Sequence, residues 1–88
     1  MLNLQHVNLH TFCSIKLVEL EAWLYDHKNP SALCLWTIFD DADDIIGLLR
    51  SAIAKEENTD LREALEECCD DAKELKFRVQ ELLENAAY

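Results

Sequence analysis

The chain has 88 residues, half of them hydrophobic, with one Gly, one Pro, and 18 acidic against 8 basic side chains for a net charge of −10. A chain this short forms one domain and buries roughly 60–65% of its unfolded surface; scarce Gly and Pro favour tightly connected helices over β or disordered classes. No apolar run approaches the ~20 residues of a membrane span, and without clustered Lys and Arg a direct nucleic-acid interface is not expected.

The first element is an expected helix over about residues 5–27. His6, His10, Cys13, Leu17, Leu20, Leu24 and His27 alternate at spacings of four and three, the seam of a helix that packs along another. Phe12, Ile15, Val18, Ala22 and Tyr25 flank that seam and are expected to widen the apolar face. The N-terminus lacks the charged start and apolar stretch of a signal peptide. Cys13 and Cys34 stand alone and Cys68-Cys69 are adjacent, a poor disulfide framework. A reducing, cytoplasmic location is therefore expected.

The second helix is expected over about residues 30–56. Asn29 serves as cap and Pro30 as first helical residue, where no N–H is needed. Its seam is Leu35, Ile38, Ala42, Ile45, Leu49 and Ala52. Gly47 lies inside it on the polar side. The third helix, about residues 59–86, starts at Asn58 or Thr59, with Asp60 and Glu63 at capping-box spacing. Its seam is Leu61, Leu65, Cys68, Ala72, Leu75, Val79, Leu82 and Ala86.

Folded at Glu57-Asn58, the two later seams meet layer by layer, from Ala52 and Ile53 with Leu61 to Leu35 with Val79. The expectation is an all-α, three-helix up-down-up bundle: a long antiparallel hairpin with a shorter N-terminal helix packed on it. Phe39, Ile46, Ile53, Cys69 and Leu83 fall to one side of the hairpin seam, and the first helix is expected there. The hairpin end left uncovered suggests a homodimer.

Three constellations invite a functional reading. His6, His10 and Cys13 share one helical face, and the folded register brings Cys69 toward their level, a donor set suited to zinc. Asp40, Asp41, Asp43 and Asp44 form an acidic belt, and Asp41 and Asp71 flank the Ala42–Ala72 layer, where carboxylates on close backbones suit a hard cation. Trp23 and Phe77 fall on otherwise polar faces and are expected interface anchors, whereas Trp36 and Phe39 are expected in the core.

Asp40-Asp41-Ala42-Asp43-Asp44 resembles, over five residues, the DDxxD magnesium element of isoprenoid synthases. That family houses its pyrophosphate in a much larger bundle with a second acidic motif opposite. Glu66-Glu67-Cys68-Cys69-Asp70 is similar to a shortened EExxE element of all-α nucleotide pyrophosphohydrolases. Those enzymes place the complementary ExxD on the next helix, whereas Glu81-Leu82-Leu83-Glu84 here shares the same one.

No serine has a His at a persuasive position, and one Gly rules out a phosphate-binding glycine loop. The expected function is therefore non-enzymatic: a protein–protein interaction module, of the kind a small bacterial or phage-encoded regulator or inhibitor would be, docking Asp40, Asp41, Asp43 and Asp44 on a basic partner with Trp23 or Phe77 as anchor. A zinc protein using His6, His10 and Cys13 with Cys68 or Cys69 is the second reading. A metal-dependent phosphohydrolase on the acidic waist is the third.

Overall fold

The computed structural model describes residues 2–86. Its elements are α1 (Leu4–Asp26), α2 (Ala32–Lys55) and α3 (Thr59–Ala86), with no strand among the described residues. The bundle is elongated, 50 × 20 × 16 Å, as expected of helices that each rise about 1.5 Å per residue over 23 to 28 residues.

Each helix begins where a short polar side chain can take an otherwise unpaired N–H. Asn3 Oδ1 accepts from the N–H groups of Gln5 and His6 at 3.0 and 3.3 Å. His6 and His10 thus lie inside α1. Ser31 Oγ accepts the Cys34 N–H at 3.2 Å, so Ser31 rather than Asn29 caps α2, and Pro30 precedes the helix instead of opening it. Asn58 Oδ1 accepts the Leu61 N–H at 2.9 Å and opens α3.

The hairpin of α2 and α3 is the principal packing unit. Its seams are buried from Leu35 to Ala52 and from Leu61 to Val79; Leu82 is half-buried, and the side chain of Ala86 lies outside the described residues. Leu35, Leu49, Leu65 and Leu75 are almost completely enclosed, each contributing roughly 1.5–3 kcal/mol of transfer free energy. Lys76 reaches across to Asp43, Nζ to Oδ1 2.7 Å, and lies 5.0 Å from the Phe39 ring centroid. These contacts agree with a chain folded back at residues 56–58. Ala42 and Ala72 are both fully buried at the waist.

The first helix packs on the hairpin with Cys13, Leu17, Leu20 and Leu24 inward. It does so on the opposite flank from the one expected. Leu20 and Trp23 meet Cys34, Thr37, Ile38 and Asp41 of α2, Ser14 meets Cys68, and Leu24 and Tyr25 adjoin Arg78 and Leu82 of α3. The other flank is lined by side chains of the hairpin itself. There Lys76 Nζ lies over the Phe39 ring, Ile46 and Cys69 are buried, and Ile46 borders a groove with Arg50, Lys73 and Phe77.

The broad apolar face expected of α1 is also divided differently. The seam is buried, but Phe12, Ile15, Val18, Ala22 and Tyr25 are all exposed. A helix 23 residues long can pack only one stripe against a hairpin groove.

Candidate functional site

The acidic belt occupies the middle of α2 and is split by helical geometry. Asp40 and Asp44, one turn apart, face solvent; Asp43 is paired with Lys76; Asp41 is half-buried in the cleft with Trp23. Of the four, only Asp43 has an ion-pair partner among the described residues. Asp71 is exposed on α3. No three His, Cys, Asp or Glu side chains among the described residues come together as a metal-binding group. The waist expected to chelate a hard cation is not assembled among the described residues: Asp41 lies half-buried beside Trp23, Asp43 is held by Lys76, and Asp71 is exposed.

The His/His/Cys/Cys set is likewise dispersed. His6 Nδ1 lies 2.8 Å from Glu56 Oε1, where α1 crosses the α2–α3 connection. Cys13 points into the core beside Cys68, and Cys69 is also buried. His10, Cys13, His6 and Cys69 therefore do not surround one point. The expected cluster is not assembled among the described residues: His6 is turned to Glu56, and Cys13 has Cys68 as its sulfur neighbour.

Burial decides the chemistry of the cysteines. The Cys13 thiol is pushed up to about 11, by loss of water first and by nearby Cys68 second. Cys68 is also raised, mainly by burial, although the Ser14 hydroxyl 3.7 Å away works in the opposite direction. Thiols held protonated in a dry core are poor nucleophiles and poor metal ligands. Cys34, at the edge of the Trp23 cleft, is half-exposed.

The aromatic side chains exchange roles relative to expectation. Trp23 is not a free anchor: it is half-buried against the core and stacked on His27, ring centroids 3.9 Å apart. The His27 ring is held in place by Nδ1 contacting the Trp23 carbonyl at 2.7 Å. Trp36, expected in the core, is 51% exposed. Its ring stands edge-on to Phe39 with centroids 5.4 Å apart. It precedes Asp40 by four residues and Asp44 by eight, so the three share the outer face of α2 with exposed Leu33. Phe77 is exposed as expected, but it lines a groove with Arg50, Lys73 and Lys76 as well as Asp43. Three cations of this acidic chain converge in that groove.

A signal for Trp36 was present in the sequence, since positions 33, 36, 40 and 44 are helical neighbours outside the hairpin seam. Reading Trp as core by residue type concealed it. The resulting patch sets exposed Trp36 and Leu33 beside Asp40 and Asp44, which have no ion-pair partner among the described residues. Comparison with family models, with curated proteins and with solved structures yields no match for this chain.

Proposed function

We propose that this protein is an interaction module whose outer α2 face docks on a basic surface of another protein. The observation that supports it is the placement of half-exposed Trp36 on the same face as Asp40 and Asp44, neither of which has a cation of its own among the described residues. A Trp ringed by polar groups is a favoured anchor at protein interfaces. The edge contact with Phe39 restrains the indole and lowers the entropy cost of fixing it on binding. The two carboxylates, backed by a hairpin that carries nearly all of the net charge, would steer a basic partner toward the face and select against acidic ones.

In this reading Trp36 replaces Trp23 as anchor, and Asp41 and Asp43 are spent on contacts within the bundle. The function is that of a regulator or inhibitor acting by occupancy rather than by turnover, in the cytoplasm.

The test is a comparative capture from lysate with three baits: wild type, Asp40→Asn/Asp44→Asn, and Trp36→Ala. The expected outcome is a basic protein retained by the wild type, released by moderate salt, and lost from both variants. Retention that ignores both salt and the aspartates would refute the electrostatic part. Retention unchanged in Trp36→Ala would refute the choice of face.

A further inference from the structure

The outer face of α1 is a second, largely apolar seam. Leu4, Asn8, Thr11, Ile15, Val18, Ala22 and Tyr25 follow one another at alternating spacings of four and three, on the side of the helix opposite Cys13, Leu17, Leu20 and Leu24. All seven are exposed: Leu4 by 72%, Ile15 by 55%, Val18 by 66% and Tyr25 by 89%, with exposed Phe12 alongside. Apolar residues on both faces leave α1 little polar side, the pattern of a helix buried all round. A monomer leaves that pattern half satisfied.

We infer that this face is covered by a second copy of the chain, with the two α1 helices packed antiparallel about a two-fold axis through Ile15. Three observations on the helix select this occupant. The seam matches itself in reverse to within one residue: turned about Ile15, Leu4 meets the layer of Tyr25 of the partner copy, Asn8 that of Ala22 and Thr11 that of Val18. A self-complementary patch is what an isologous two-fold interface requires.

Charge selects the direction of packing. Residues 2–15 contain no Asp, Glu, Lys or Arg, while Lys16, Glu19, Glu21 and Asp26 all lie in the second half of α1. Antiparallel packing sets each charged half against an uncharged half. Parallel packing would set Glu19, Glu21 and Asp26 against their own copies, a like-charge arrangement that costs stability. Charge also selects the helix. Residues up to 29 carry two basic against three acidic side chains, whereas the remainder carries six against fifteen. The outer side of α1 is thus where two molecules of charge −10 approach with least repulsion.

The area is sufficient. At these exposures the five large side chains present on the order of 650 Å² per protomer, near the ~800 Å² of a standard interface and above the few hundred Å² common in one patch of a monomer. The pair would hold both hairpins outward, each with its Trp36 face free. Dimer and docking face use different helices, so either can fail without the other.

The experiment is light-scattering mass across a dilution series for wild type, Thr11→Lys, Val18→Glu and the double variant Thr11→Lys/Val18→Glu. Both substituted positions are on the exposed surface, and circular dichroism reports whether each variant remains helical. The wild type is expected at twice its 10.2 kDa chain mass, and each single variant at half the wild-type value. The double variant is expected to recover the dimer mass. Position 11 of one copy lies level with position 18 of the other only in the antiparallel pair, where the two introduced charges are opposite and attract. A monomeric wild type would overturn the inference. So would a dimer indifferent to the single variants, or single variants that dissociate without rescue by the double.

Discussion

His6 and Glu56 are 50 residues apart in the chain, yet His6 Nδ1 lies 2.8 Å from Glu56 Oε1 with both side chains largely enclosed. The pair pins the start of α1 to the turn that closes the hairpin. Glu56 Oε2 also accepts the Asn58 N–H at 3.0 Å, which shapes the turn from within. The Glu56 carboxyl is consequently held below its ordinary value of 4.5, by the Asn58 N–H first and by His6 second.

The sign of the pH dependence follows from that direction. A carboxyl whose folded pKa is lowered stabilises the fold above its unfolded pKa and loses that contribution as pH falls through the folded value. Glu56→Gln is therefore expected to melt below the wild type at neutral pH, with the gap closing as both are acidified through the carboxylate range. Thermal unfolding followed by circular dichroism across pH checks this. A gap that stays constant would show that Glu56 acts by shape rather than charge.

Gly47 is a defect that can be repaired. It is exposed in α2, has ordinary helical backbone, and a Cβ built there meets nothing within 4 Å. Gly47→Ala should stabilise by about 1 kcal/mol through helix propensity alone, a rise of roughly 4–8 °C in melting temperature for a domain of this size. No rise in the melt would mean that the Gly serves a contact outside the single chain.

The waist is the least forgiving part of the core. Ala42 and Ala72 are fully buried on facing helices, so Ala72→Leu must push the hairpin apart at a cost of about 1–3 kcal/mol. Leu65→Ala, in the same seam and also fully buried, should cost about 2–5 kcal/mol by leaving a cavity. Urea unfolding of the two variants measures both. A neutral Ala72→Leu would show that the helices separate there without loss.

Thiol reactivity should divide by position. Cys13, Cys68 and Cys69 are buried, and the first two have raised pKa values, whereas Cys34 is half-exposed. Brief alkylation of the native protein at mildly alkaline pH is expected to add one label, at Cys34, with the other three labelled only in denaturant. Peptide mapping by mass spectrometry reads this directly. Native labelling of Cys13 would indicate that α1 detaches readily from the hairpin.

The sequence by itself determined the helices and the hairpin. Two seams of strict 3-4 periodicity, mirrored about Glu57-Asn58, leave one way to bury Leu35 to Ala52 against Leu61 to Val79, and the structure buries all of them. The inward stripe of α1 was legible for the same reason. Periodicity says which residues face inward but not which of two apolar flanks receives them. In the structure Lys76 lies over Phe39 on one flank, and α1 packs on the other. That placement sets Cys13 beside Cys68 without a third metal donor among the described residues and leaves Trp23 half-buried against α2. Trp36, outside both the hairpin seam and the α1 flank, was left in solvent, and so was the second seam of α1. These outcomes were decided only by tertiary structure, because they depend on competition between side chains distant in sequence for the same covered surface, a term that no local pattern contains.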